Sequence, residues 1–279
     1  MTKQIHRQYT WQEWIEKATT KPADGFVGRH GDDSWAGGSK TQAVRMATTT
    51  GYSDAVPEAE ALATAVADTV AAQVNLETFQ SAFDVAGSEV DISRFMAGTP
   101  ECMIEAQPIR IAKAGRAVRL VVSFSYHCGI SEAVVRRRGA AVMALVYVLQ
   151  QLQHPLEVWG SHGTTGGDVR KHDLVQIQRA DEPADIGRIM YALAHPTMLR
   201  RLCFSVEDHE PANIRKALGI GGSYGRPSDT SEADLQAGGL DDTGTTIIMP
   251  QLTDNRGWSV DDSVKWIEEQ LEVIFSEDS

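Results

Sequence analysis

Residues 117–159 constrain the fold more than any other stretch of this chain. Val118-Arg-Leu-Val-Val-Ser-Phe-Ser125 is almost wholly apolar, as a strand covered on both faces must be. Ser131 then stands where a helix cap is expected, and the helix runs to Pro155. Its later part, Ala140 to Leu152, is apolar nearly all round, which requires deep burial. Leu156-Glu-Val-Trp159 is the next strand. Strand, buried helix, strand is a βαβ unit, and such a crossover joins parallel strands.

The remaining elements are expected around that unit. Residues 1–80 read as a helical cap: Trp11, Trp14, Ile15 and Ala18 fall at helical spacing after Thr10, and further helices are predicted over Ser39–Thr49 and Pro57–Val74. Phe83, Val85, Val90, Ile92 and Phe95 alternate with polar residues around Gly87 and predict short strands. Gly160 to Gly167 reads as a loop, Asp173–Arg179 as a strand, and 183–202 as helix broken at His195-Pro196. Phe204-Ser-Val206 reads as an edge strand and 219–244 as a long Gly-rich loop or lid. Thr245–Leu252 is the last strand, followed by an amphipathic helix with Val264, Ile267, Leu271 and Ile274 on one face. The expected fold is α/β: a doubly wound, mostly parallel sheet over 81–279 with the N-terminal cap packed on it as one unit.

Charge and cysteine usage narrow the function classes. The net charge is −12, and residues 229–279 carry 13 acidic against two basic side chains. A near-neutral body with an acidic end does not suit nucleic acid. It leaves open an acidic decoy for a basic, DNA-binding protein, against the plainer reading of a solvated helix face. Cys102, Cys128 and Cys203 are odd in number and lack a CxxC pair, so neither a disulfide framework nor a zinc site is expected. The N-terminus lacks the apolar core of a signal peptide, and Gly139–Leu149 is too short to cross a bilayer. A cytoplasmic protein without membrane contact is expected.

Two strands end in polar clusters, Ser123-Phe-Ser-Tyr-His127 and Thr253-Asp-Asn255. Open α/β sheets bind ligands at the carboxyl ends of their strands. The order strand–helix–strand–strand–helix–strand–helix with these ends resembles the von Willebrand factor type A domain. That family binds a divalent metal at the top of its sheet through Asp-x-Ser-x-Ser, a loop Thr and a later Asp. The resemblance implies Ser123, Ser125, Thr164 (or Thr165) and Asp254 as ligands of Mg²⁺ or Mn²⁺. Here Ser123 replaces the first Asp and His127 the second Ser. A hard cation wants carboxylates, so the motif reads as a degenerate metal site. His127 and Asp254 then become candidates for binding a protein partner.

An enzyme reading runs beside this one. Cys128 follows a strand and precedes a helix, where a thiol pKa falls, with His162 or His172 as base and Asp254 to orient it. Arg136, Arg137 and Arg138 are adjacent on a helix, as are Arg200 and Arg201, so neither run makes a single patch. Trp11, Trp14, Trp35 and Tyr52 suit either an interaction surface or the packing of the cap. The segments Trp35–Gly38, Phe83–Asp91 and Gly98–Met103 resemble an uncharacterised family carried by bacterial viruses and plasmids, which implies a mobile-element protein in a host cytoplasm. The expectation overall is a non-enzymatic module that binds a protein partner at its strand ends.

Overall fold

The computed structural model describes residues 2–66, 77–110, 116–240 and 244–278. The chain opens with strand β1 (Lys3–Thr10). Thr10 then caps helix α1 (Trp11–Thr19): its hydroxyl accepts from the Glu13 amide while the Glu13 carboxylate accepts from the Thr10 amide. Helices α2 (Asp33–Ala36), α3 (Lys40–Arg45, continued by a π-helical turn Met46–Thr50) and α4 (Val56–Ala65) follow. Strands β2 (Glu77–Asp84), β3 (Glu89–Val90) and β4 (Met103–Arg110) form a small antiparallel sheet in the order β2-β4-β3, with helix α5 (Ile92–Met96) between β3 and β4. The principal unit is β5 (Val118–Ser123), α6 (Glu132–Gln151), β6 (Leu156–Gly166), β7 (Val169–Gln178) and α7 (Ile186–Ala194). A π-helical turn (Met198–Cys203), α8 (Phe204–Glu207), α9 (Ala212–Leu218), β8 (Arg226–Pro227), α10 (Glu232–Ala237), β9 (Thr245–Met249) and α11 (Val260–Asp278) complete it.

The main sheet runs β1-β7-β6-β5-β9, with β8 joined to β6. β5 pairs parallel with both β6 and β9, and β1 pairs parallel with β7. Only the β6–β7 hairpin and short β8 run antiparallel. The fold is mixed α/β with a largely parallel sheet, and both faces of β5 are covered. Leu120 and Val122 pack into the core shared with α4, α6, α7 and α11, while Val121 joins Trp159, Leu174, Leu235 and Leu240 on the other face. Among the described residues, no helix is long and apolar enough to cross a membrane.

Several expectations are corrected. The first 80 residues are not wholly helical, because β1 lies at the sheet edge beside β7. Gly160–Gly166 is strand, not loop. Its glycines serve close approach: a Cβ at Gly160 would lie 1.8 Å from Phe124, and one at Gly163 2.2 Å from the Ser228 carbonyl. Phe204–Val206 and Ile92–Phe95 are helical, not strand. The 219–244 segment holds β8 and α10; its residues 241–243, and the predicted helix beyond residue 66, lie outside the described residues.

Gly139 lets α6 meet α7. A Cβ there would sit 2.4 Å from Ala194 Cβ and 2.5 Å from Ala194 Cα. Helix propensity alone makes Gly139→Ala stabilising by about 1 kcal/mol; overpacking against backbone costs about 1–3 kcal/mol. Urea denaturation should show a net loss of stability. A gain would mean that the two helices part without cost.

Candidate functional site

The carboxyl ends of β5, β6 and β9 open into a cleft of about 1130 Å³. Its walls come from the loop 29–35, the turn 126–128, the segment 199–204, the Gly-rich stretch 222–227, and residues 251–253 after β9. Tyr126 and Leu252 bridge in parallel beyond the two strands, so the ends diverge only after that point.

Arg138 of α6 braces these ends from beneath. It is 2% exposed, and its guanidinium donates to the carbonyls of Ser123 (2.8 Å) and Pro250 (3.2 Å). Burial lowers its pKa to about 10, since no carboxylate among the described residues compensates the charge. The other two arginines of the run point elsewhere, as adjacent helix positions must: Arg136 approaches Glu58 at 3.5 Å. Asn255 locks the rim, donating to the Gly129 carbonyl and accepting from the Ser131 amide.

The cleft lining is aromatic and cationic. Phe204 and Tyr224 stack at 4.1 Å, and Trp35 lies nearly parallel to Phe204 at 6.4 Å. Arg200 stands over the rings of Trp35 (4.6 Å) and Tyr126 (5.5 Å) and donates to the Trp35 and Ile130 carbonyls. Arg201 turns away to hold the 30–38 loop through His30, Gly38 and Asp33. Asp208 clamps the cleft's far wall, accepting from Gly28 N, pairing with His30 Nε2 and accepting from Tyr224 OH. Burial pushes Tyr126 up to about 12, so its ring faces the cleft as a neutral phenol.

The expected site residues separate into two groups. Ser125 and Thr164 converge on a buried chain. Ser125 Oγ lies 3.1 Å from His162 Nδ1, and His162 Nε2 lies 3.0 Å from Glu207 Oε1, which also accepts from Thr164. This resembles a Ser–His–acid relay, but the single hydroxyl hydrogen of Ser125 goes to the nearer Gly163 carbonyl at 2.7 Å. All three residues are almost fully buried. Behind them Lys171 Nζ lies 2.6 Å from Asp173 and 3.2 Å from Glu210, a buried ion-pair cluster. Burial works against its charge, but Asp173, Glu207 and Glu210 hold the Lys171 pKa up. Burial likewise opposes the Glu210 charge, yet Arg7 and Lys171 keep it at about 2.

Asp254 does not join this group. Its contacts are with Arg256 in its own exposed turn, and Asn255 makes the crossing to β5's end instead. Ser123 Oγ accepts from the Ser125 amide. A divalent cation therefore finds its expected oxygens committed elsewhere and a buried guanidinium beneath them; the residues do not fit Mg²⁺ or Mn²⁺. Among the described residues, no group of three His, Cys, Asp or Glu side chains is placed to hold a metal. Cys128 and His127 lie at the cleft rim, exposed. The thiol is 3.8–3.9 Å from both ring nitrogens, off the lone pair of either, and His127 Nδ1 accepts from Gly129 N. His172 sits apart, near Asp234 and stacked on His6.

The sequence reading missed Arg29, Arg200 and Arg226 as cleft residues. The only signal was Arg200 in a dibasic pair, whose two members do face different ways.

Two measurable consequences follow from burial. Burial depresses His172 and His195 to about 4 from an ordinary 6.5. The folded state rejects protons that the unfolded chain takes up, so stability is full above pH 6.5 and falls as pH drops to 4. Urea titrations across that window should lose on the order of 3 kcal/mol per histidine, and His195→Gln should remove its share. Of the thiols, exposed Cys128 should react with a disulfide reagent in the native state; buried Cys203, whose pKa burial raises, should react only after unfolding.

No curated protein and no solved structure matches the chain. One family does, over residues 4–274, and the chain belongs to it: the domain of unknown function DUF7192.

Proposed function

We propose that this chain is a non-enzymatic binding module and that the strand-end cleft seats a segment of a partner protein. The cleft lining carries the reading: three arginines and four aromatic rings in one depression of a chain with net charge −12. Large pockets with aromatic walls and a few placed polar groups are binding sites, and Trp, Tyr and Arg dominate the energetics of protein interfaces. The reactive-looking groups support binding rather than turnover. Ser125 and His162 are almost fully buried, and the Cys128 thiol stands nearly equidistant from the two His127 nitrogens rather than on the axis of either.

The sheet is proposed to be von Willebrand A-like. The order β5-α6-β6-β7-α7-β9-α11 supports this, and the cleft occupies the end where that family holds its metal. The partner would engage a metal-free version of that surface. The decoy alternative gains no support: on α11, Ile267, Leu271 and Ile274 are buried while Asp261, Asp262, Glu269 and Glu272 are exposed, as on a solvated helix.

A photoreactive residue at Ser223, on the cleft, tests the reading in cells that carry the chain. A specific protein adduct is expected from this position, reduced by Arg226→Glu, and absent when the crosslinker sits at Val273 on α11. The same adducts from both positions, or none from Ser223, would remove the cleft as the seat.

A further inference from the structure

Arg200 is a buried cation with no anion beside it among the described residues. It is 4% exposed, and its guanidinium donates to two neutral carbonyls, those of Trp35 and Ile130. Its Nε is buried and makes no hydrogen bond. Among the described residues no carboxylate lies within ion-pair distance of it. Arg138, directly beneath the same strand ends, is compensated only by carbonyls as well. At the rim, Arg29 and Arg226 are exposed and unpaired among the described residues, and Asp32 is the single acid in the lining.

Buried charge without a counter-charge is costly, and the usual remedy is a pairing partner with further hydrogen bonds. Elsewhere this chain supplies such partners: Arg7 has Glu210, Arg201 has Asp33, Lys171 has Asp173. At Arg200 it does not, and Arg200 lines a cleft open to solvent. The strand ends thus carry charge of the same sign as the cation that the resembling family holds there, so an anion is the complement.

We propose that the cleft recognises a side-chain carboxylate on an acidic, aromatic-containing peptide segment of the partner, with Arg200 as its seat. This rests on the reading of the cleft as the partner's binding site. A carboxylate is planar and binds a guanidinium edge in the same plane, and the Arg200 guanidinium carbon lies 4.6 Å from the Trp35 ring and 5.5 Å from the Tyr126 ring. The rings of Trp35, Phe204 and Tyr224 alongside take an aromatic side chain by stacking or edge contact. Arg29 and Arg226 contribute attraction at the rim and speed encounter.

Panning a display library of random heptapeptides on the full chain tests this. The enriched sequences should place Asp or Glu within two positions of an aromatic residue. A synthetic copy of the leading sequence should bind, and should weaken at least tenfold when its acid is replaced by the amide. Arg200→Gln should abolish binding. Because Arg200 also holds two backbone carbonyls, the decisive variant is Arg29→Glu with Arg226→Glu, exposed positions that should leave the melting temperature unchanged and weaken the acidic peptide at least tenfold. Peptides without acids that still compete with the Ser223 crosslink would overturn the carboxylate and leave the cleft as the seat. Acidic peptides indifferent to the rim reversal, or a phosphoserine version binding more tightly than the glutamate one, would overturn it too. Panning that enriches nothing able to compete at Ser223 removes both readings.

Discussion

The Arg138 guanidinium holds the ends of the neighbouring strands β5 and β9 together. Ser123 ends β5 and Pro250 follows β9, and both of their carbonyls accept from Arg138. One side chain from α6 meets both, so the helix that buries the sheet also sets the spacing of its ends. Everything above that level follows: the Tyr126–Leu252 bridge, the rim lock by Asn255 and the floor of the cleft. The arrangement needs a charge without a counter-charge in the core, tolerated because two carbonyl dipoles are aimed at it.

The same choice decides what the cleft can hold. A cation above Arg138 and Arg200 would meet two uncompensated guanidiniums, and the hydroxyls expected to bind it are spent on Gly163, Glu207 and a backbone amide. An anion meets the reverse conditions. On the proposed von Willebrand A-like reading, Ser123 in place of the motif's Asp goes beyond losing one ligand, since the buried charge beside it is positive. The walls are fixed by separate devices: Asp208 ties Gly28, His30 and Tyr224, and Arg201 ties the 30–38 loop. Such bracing keeps the aromatic rings in place before any partner arrives.

Glycine misled the sequence reading in one instructive place. Gly160, Gly163 and Gly166 looked like a loop because glycine usually marks turns, yet each lies within β6 where Phe124, Ser228 or Ala217 crowds the backbone. Composition records that a side chain is missing; it does not record whether the reason is φ or a neighbour. β1 was hidden for a different cause. Lys3–Thr10 is polar and half-exposed at the sheet edge, so it lacks the apolar pattern that marks an interior strand. Phe204 was read as strand from its apolar neighbours, but it continues a helical turn that starts beyond Pro196.

By itself the sequence determined the βαβ unit, the last strand and helix, and the cap at Thr10. These rest on periodicity and on local hydrogen bonds, which neighbours in the chain largely settle. Only the tertiary structure decided which polar residues meet. Arg200 faces the cleft while Arg201 does not, Asn255 rather than Asp254 crosses to β5, and Ser125 finds His162 and Glu207, both buried. Side-chain chemistry of this kind depends on ångström distances between residues far apart in the chain, and on which charges the fold leaves without a partner.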